Sequence, residues 1–392
     1  MRVLVLSFYF APDLSAGAFR ATAFLKALAD RLGPGDAVDV ITTMPNRYHS
    51  FAREASTAEV QGAIRIRRIK LPGHKSGLFD QTRAFVVFAR EALRHTRRNK
   101  YDIVFATSSR LFTASLGAMV ARQARVLLYL DIRDIFADTI KDILSKPVLL
   151  FLTPVIGLIE RYTINAAAAV NLVSGGFLPY FKDKYPRQTY SFHTNGIDDD
   201  FLGISFERAS SPGRQTILYA GNIGEGQGLD RIIPAAAAAL AKSHRFVIVG
   251  DGGKIGTLRE AISRANVDNV ELMPPVDRKR LVELYRESDY LFLHLNDYDA
   301  FKKVLPSKIF EYAATGKPII AGVGGYAKLF IEENICNAAV FPPCNVEGFV
   351  NSINRIHQGI TDRTAFIGSF ARATIVSRMA EDFVALAGRK AD

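Results

Sequence analysis

Four lysines and a carboxylate lie in residues 301–318, FKKVLPSKIFEYAATGKP. Lys308 and Glu311 stand three apart, a spacing that puts two side chains on one face of a helix. Pro306 breaks the preceding strand and Ser307 is a candidate N-cap. Gly316 and Pro318 close the helix. Lys302, Lys303 and Lys308 therefore stand beside a positive helix end. Unpaired N–H groups and the helix dipole both favour an anion there. A cation for phosphate beside a carboxylate for ribose hydroxyls is the pair that a nucleoside diphosphate needs. The same spacing also fits a plain surface ion pair at a helix start.

The elements that must position these residues come in two alternations. A chain of 392 residues is too long for one ordinary core, so two domains are expected. Residues 2–10 are nearly continuous in Val, Leu and Phe, as a buried parallel strand should be. A loop over 11–17 ends at Gly17, a helix over 18–32 follows, and a strand spans 38–43. That βαβ opening predicts a doubly wound domain with its site at the strand C-terminal ends. Gly17 could let backbone approach a phosphate, with Arg20 one turn in; an ordinary loop glycine and a solvated arginine read equally well. Residues 64–70, 102–106 and 126–130 are further strands, and 80–98 an amphipathic helix with a basic end. The strand at 126–130 runs into Asp131-Ile132-Arg133-Asp134. Charges at that end of a strand sit where active sites form, although an internal ion-pair network would use the same residues. Residues 147–158, PVLLFLTPVIGL, are the most apolar stretch, to be packed on the core or dipped into a membrane face. Residues 205–214 have the composition of an interdomain linker.

The second alternation starts at Thr216. A strand over 217–220 leads into the Gly-rich loop GNIGEGQG (221–228) and a helix over 229–241. The strand at 246–249 ends in Gly250-Asp251-Gly252-Gly253. Strands at 270–273, 290–295 and 318–321 continue the sheet, with helices at 277–287 and 307–315. The helix near 371–392 is expected to cross back to the first domain. The organisation predicted is a donor-type domain over 205–370 after a first domain over 1–204, two Rossmann-like α/β domains facing a cleft.

The formal charge of +11 favours anionic partners: sugar nucleotides, acidic lipids or nucleic acid. No RNP-type aromatic pattern or zinc-finger spacing supports nucleic acid. The two cysteines, Cys336 and Cys344, make neither a disulfide framework nor a four-ligand metal site, and suggest a reducing cytoplasm. The start MRVLVLSFYFAP mimics a signal peptide but reads better as the first strand. No run reaches the roughly 18–20 apolar residues that span a bilayer.

Taken together, FYFAPDLSAGAFR, LDIRDIF, NGIDDDF, YAGNIGEGQGLD, VIVGDGG and PSKIFEYAATGKPII resemble family 4 glycosyltransferases of the GT-B fold. The likeness is strongest to the WbuB-like sugar transferases of bacterial surface polysaccharide synthesis. It extends over nearly the whole chain, and the last three motifs, in this order, are specific. It implies transfer of a sugar from a nucleoside diphosphate donor with retention of anomeric configuration, the donor on the second domain and the acceptor on the first. Gly250, Asp251 and Gly252 match the loop beneath the base, and Glu311 the carboxylate on the ribose. The chain departs from the broad family in three places. Lys303 stands where a second Glu is usual, which leaves the sugar-contacting role unassigned. Asn222 and Gln227 replace an Arg and a Lys, as in the WbuB-like branch. Arg133 stands where many members have a histidine. The diphosphate charge then falls to Lys308, the amides of 222–228 around Gly224, and the Ser307 end of the helix.

The expected reaction is metal-independent transfer, needing no cofactor beyond a nucleotide-sugar, with a UDP-sugar the expected donor. Lys308 steadies the departing diphosphate; Arg133 and Asp134 are the catalytic candidates on the first domain. The implied acceptor is a lipid-linked saccharide, with the chain cytoplasmic and peripheral on the anionic inner face of the membrane. Two rivals remain: a GT-B nucleotide-sugar 2-epimerase, which would need more carboxylates and histidines than His193 and His294 offer, and a non-catalytic nucleotide-binding scaffold.

Overall fold

The computed structural model describes residues 1–13, 15–45, 55–72, 78–108, 111–135, 146–207 and 213–389. Leu14 of the first loop, Phe136 of the LDIRDIF motif and residues 208–212 of the expected linker lie outside them. The chain divides into residues 1–195 with 372–392, and residues 196–371.

The first unit is an eight-stranded sheet. Its strands are β1 (Arg2–Leu6), β2 (Ala37–Thr43), β3 (Ala58–Gln61), β4 (Ile64–Ile69), β5 (Ile103–Thr107), β6 (Leu127–Ile132), β7 (Ala169–Leu172) and β8 (Tyr190–Ser191), in the order β3-β4-β2-β1-β5-β6-β7-β8. All pair in parallel except β3, which runs against β4. Val3, Leu4, Val5 and Leu6 are fully buried, as a strand covered on both faces requires. The helices are α1 (Ala16–Ala29), α2 (Leu78–Thr96), α3 (Leu111–Ala124), α4 (Lys146–Asn165) and α5 (Leu178–Lys184). The apolar stretch near Pro147 and the following polar segment form one helix, α4, with Pro154 inside it. α3 is nearly uniform in small and apolar residues, so its periodicity gives no sequence signal.

The second unit holds β9 (Gln215–Ala220), α6 (Leu229–Ala239), β10 (His244–Val249), α7 (Ile255–Ala265), β11 (Val270–Met273), α8 (Arg278–Glu287), β12 (Tyr290–His294), α9 (Lys308–Ala314), β13 (Ile319–Gly322), α10 (Gly325–Asn334), β14 (Ala338–Phe341), α11 (Val346–Arg355) and α12 (Thr364–Phe370). Its sheet is wholly parallel, in the order β11-β10-β9-β12-β13-β14. That is the doubly wound 3-2-1-4-5-6 order, whose switch point lies between β9 and β12.

The division falls at residue 196, earlier than the 204/205 boundary read from composition. The reason is packing. Ile197, Phe201 and Phe206 are buried in the second unit's core, and Phe201 stacks on Tyr285 at 5.5 Å. The last helix, α13 (Arg372–Ala387), lies in the first unit. Met379, Ala380 and Phe383 recur at helical spacing and are fully buried against α1 and the sheet. Phe383 meets Phe24 edge-on at 5.6 Å, and Arg31 donates to Ser377 and Glu381.

Candidate functional site

Loops leaving the C-terminal ends of β9 and β10 interlock in the second unit. Gly221 N donates to Val249 O, Ile223 N to Asp251 O and Lys254 N to Ile223 O, each at 2.9 Å. A Cβ on Gly250 would lie 1.8 Å from the Gly221 carbonyl oxygen, and one on Gly252 2.4 Å from that of Ile223. Both glycines hold positive φ, +150° and +156°. Gly250 and Gly252 are therefore glycine because two backbones meet there. Asp251 is exposed, and its carboxylate accepts from Gly252 N at 2.7 Å.

The Gly-rich loop closes on itself. Gln227 Oε1 accepts from Asn222 Nδ2 at 2.8 Å and from Gly224 N at 3.2 Å. The amides of Ile223, Gly224 and Gln227 are thus engaged within the two loops. This corrects the expectation that the loop offers its amides as a set. Asn222 and Gln227, where a cationic pair would be expected, instead brace the loop. His294 holds the loop from below. It is fully buried, its Nδ1 lies 2.6 Å from the Gln227 carbonyl, and its Nε2 accepts from Cys344 N at 2.9 Å. The ring is a donor at Nδ1 and an acceptor at Nε2, hence neutral. Burial pushes its pKa down to about 4, against the Gln227 carbonyl, which favours the charged form.

Lys308 and Glu311 do share a face of α9, with Nζ to Oε2 at 2.9 Å. The stem of Lys308 also reaches the Gly-rich loop, its Cε 3.7 Å from where a Cβ on Gly221 would sit. Glu311 is more than an ion-pair partner for Lys308. Arg278 reaches its Oε1 at 3.3 Å, and Tyr285 donates to Oε2 at 3.1 Å. Arg278 in turn pairs with Asp198 and, at 3.0 Å, with Asp200. Burial disfavours the Glu311 charge, but Lys308 and Arg278 outweigh it and hold the carboxyl below its ordinary value. Burial likewise works against Arg278, and Glu311, Asp198 and Asp200 more than offset it. Nothing in the sequence spacing points to Arg278 or Tyr285, which arrive from α8.

Two expectations about the α9 start change. Ser307 stands at the N-cap position with φ −61° and ψ −27°, already helical, and its side chain makes no capping bond. An extended Ncap is needed for a serine to reach the N2 or N3 amide. Lys302 pairs with Asp299 at 2.9 Å, while Lys303 ends the turn Phe301–Lys303 and is half-buried.

The remaining candidates belong to the first unit. Gly17 lies in the first turn of α1, capped by Ser15, whose hydroxyl accepts from Ala18 N. Arg20 is buried rather than solvated. It forks onto Asp131 with two 2.9 Å bonds and donates to the carbonyls of His193 and Thr194. Asn171 completes the carboxylate's partners at 2.8 Å. Asp131 is therefore part of an internal network that ties α1 to β6 and β7. Arg133 follows β6 and is half-buried, with its Nη1 buried and unpartnered among the described residues. Burial pushes its pKa down to about 10, against the pull of Asp131. Asp134 beside it is exposed. No group of three His, Cys, Asp or Glu side chains suited to a metal occurs among the described residues.

The doubly wound sheets and their interlocked glycine loops define a class. The fold is that of the GT-B glycosyltransferases, and residues 203–367 match the family of glycosyl transferases group 1. The chain thus carries a group 1 glycosyltransferase domain. Among particular proteins, it is 32% identical over 116 residues to the putative colanic acid biosynthesis glycosyl transferase WcaI of Escherichia coli (strain K12). That match takes in 30% of this chain and spans 28% of the relative's length. Anabaena Alr3699/HepE, solved in complex with UDP-glucose, is 14% identical with a TM-score of 0.68 over 98% of this chain and 100% of that one. WaaG, a glycosyltransferase involved in lipopolysaccharide biosynthesis, is 15% identical with a TM-score of 0.63 over 100% and 99%.

Proposed function

We propose that the protein is a retaining glycosyltransferase of family 4, in its WbuB-like branch. It moves a sugar from a nucleoside diphosphate, a UDP-sugar, to a lipid-linked saccharide acceptor in surface polysaccharide synthesis. The observation that carries this reading is the Lys308–Glu311 pair set against the Gly221 and Gly250 loops, at the strand ends where a 3-2-1-4-5-6 sheet binds its ligand. HepE, of like fold, was solved with UDP-glucose, which supports the choice of nucleotide.

Lys308 faces the diphosphate and stabilises the charge that grows as the sugar leaves. Lys303 lies in the separate turn Phe301–Lys303 before α9, and its charge adds to the same field. Glu311 takes ribose hydroxyls. A carboxylate has about four acceptor positions, and Lys308, Arg278 and Tyr285 fill three. The loop of Gly250, Asp251 and Gly252 lies beneath the base, while Asn222, Gly224 and Gln227 shape the phosphate loop and Ser307 opens the helix toward it. On the first unit, Gly17 leaves room for close approach of backbone to a ligand, Arg133 carries an unpartnered Nη1 suited to an anion, and Asp134 faces the acceptor. The leaving phosphate takes the acceptor proton, and the reaction needs neither a divalent ion nor a further cofactor. The protein works on the cytoplasmic face of the membrane, where its acceptor lies.

The test is a thermal-shift panel of UDP, GDP, ADP, dTDP and CMP in EDTA, followed by turnover of UDP-sugars. A ligand at about 100 times its dissociation constant adds roughly 2.7 kcal/mol, a visible shift. UDP alone should shift the protein, and turnover should survive EDTA. No shift with any nucleotide would overturn the donor reading, activity restored only by Mg²⁺ or Mn²⁺ would overturn metal independence, and binding without sugar release would leave a scaffold.

A further inference from the structure

Arg278 is the first residue of α8, with Asp277 as its N-cap. A cation gains nothing from the helix dipole there, because a helix start favours anions. Its partners are three carboxylates instead. Nε donates to Asp200 at 3.0 Å, Nη1 to Glu311 at 3.3 Å and Nη2 to Asp198. The guanidinium carbon lies over the Phe201 ring, 4.6 Å from its centre. Two of the carboxylates and the ring come from one stretch, residues 198–201, whose turn Asp199–Phe201 precedes β9. The third carboxylate comes from α9.

The two oxygens of Glu311 are not equivalent. Oε2 accepts from Tyr285 at 3.1 Å and from Lys308 at 2.9 Å, which fills its two acceptor positions. Oε1 accepts from Arg278, which leaves it one position. A hydroxyl taken by Glu311 is therefore met at Oε1, the oxygen that Arg278 holds. Tyr285 stacks on Phe201 at 5.5 Å, so both oxygens are tied to the 198–201 stretch.

Charge makes the clamp necessary. The side chains of Glu311 and Asp198 are only 11% and 12% exposed, so water screens their repulsion poorly. A guanidinium shared between them cancels that repulsion and fixes the angle at which the Glu311 carboxylate stands. Lysine carries the same charge at one point and has no fork to span three carboxylates.

We propose that Arg278 is a positioning residue for nucleotide recognition. It fixes Glu311 Oε1 where a ribose hydroxyl of the donor arrives, and so sets the preference of the site for ribonucleotides over deoxyribonucleotides. The inference rests on the reading that Glu311 binds the ribose of a nucleoside diphosphate. Arg278 acts through Glu311 rather than on the nucleotide. A clamp that only tied the 198–201 stretch to α9 would support the fold and favour every nucleotide alike.

Calorimetric titration of the full-length protein with UDP, 2′-deoxy-UDP and 3′-deoxy-UDP separates the two roles. Wild type should bind UDP more tightly than at least one deoxy analogue by about 10–100-fold, the weight of one hydrogen bond to a charged group. Arg278→Gln and Arg278→Lys should weaken UDP and leave that analogue almost unchanged, so that the preference falls below about threefold. Glu311→Gln should lose the same preference, and Arg278→Lys added to it should remove nothing more, because both act on one contact. Arg280→Ala removes a neighbouring α8 cation, paired with Glu283 and Glu287, and should keep the full preference. Circular dichroism shows which variants are folded. Should Arg278→Gln fail to fold, Arg278→Lys decides, since it keeps a charge among the carboxylates. Equal weakening of all three nucleotides, with the preference intact, would make Arg278 a brace of the fold and overturn the inference. So would a wild type that binds UDP and both analogues alike, which leaves the donor site standing but takes the ribose away from Glu311. A wild type that binds no nucleotide would overturn the donor reading, and this inference with it.

Discussion

Acidification should unfasten the Gly-rich loop through His294. In the folded protein this imidazole is held at about 4 instead of its ordinary 6.5. A base with a depressed folded pKa stabilises the native state fully above its unfolded pKa. That stability is lost as pH falls from 6.5 toward 4, because the unfolded chain takes up a proton that the native ring refuses. Each pKa unit is worth about 1.4 kcal/mol, so the loss is about 2 kcal/mol at pH 5 and approaches about 3 kcal/mol near pH 4. For a domain of about 150–250 residues, 2 kcal/mol is roughly 4–8 °C in Tm. The geometry adds a functional arm. A proton on Nε2 removes the acceptor for the Cys344 amide and sets a charge beneath the loop that Nδ1 pins at Gln227. Urea unfolding followed by circular dichroism at pH 8, 6 and 5, for wild type and His294→Gln, isolates the effect. His244, another buried histidine with a lowered pKa, is common to both. Wild type should lose about 2 kcal/mol more than His294→Gln between pH 8 and pH 5, and its UDP affinity should fall in the same window. Parallel pH dependences in the two proteins would refute the assignment of this titration to His294.

Three further outcomes are expected. Lys308→Ala should cut turnover by about 100–1000-fold, the effect of losing one preorganised charge partner. Folding should survive, because Arg278 and Tyr285 still hold Glu311; initial rates within threefold of wild type would remove Lys308 from the mechanism. Gly250→Ala must push a Cβ into the Gly221 carbonyl at positive φ, costing at least the ~1–3 kcal/mol of overpacking and abolishing the UDP thermal shift. Gly253→Ala, with nothing within 4 Å of its Cβ, is the silent control, and a Gly250→Ala protein that binds UDP normally would contradict the loop geometry. Arg20→Ala leaves Asp131 buried without its cation and should cost about 3–5 kcal/mol in urea unfolding; a loss below about 1 kcal/mol would show that the network relaxes.

What the sequence determines by itself is local. The βαβ alternations follow from apolar runs broken by glycine, and the Lys308–Glu311 pair from two residues one helical turn apart. The glycines of 250–252 are recognisable as a close approach of backbone, although their partner loop is not named by any spacing. Tertiary structure decides the rest, because its contacts depend on which strands become neighbours. Arg278 reaches Glu311 from 33 residues away, and Arg20 reaches Asp131 from 111. Both arginines look like solvated cations in the sequence; the sheet order that brings α1 to β6 buries Arg20, and the one that brings α8 to α9 leaves Arg278 half-buried. The Asn222–Gln227 bond shows the same limit at short range, since two amides five apart become a brace only once a 3-10 turn folds them together. The apolar run of α4 could be core or surface by composition. Its fate rests on what packs over it, and among the described residues nothing covers Leu158. Local periodicity chooses the element, whereas burial is a property of the neighbours that chain topology supplies.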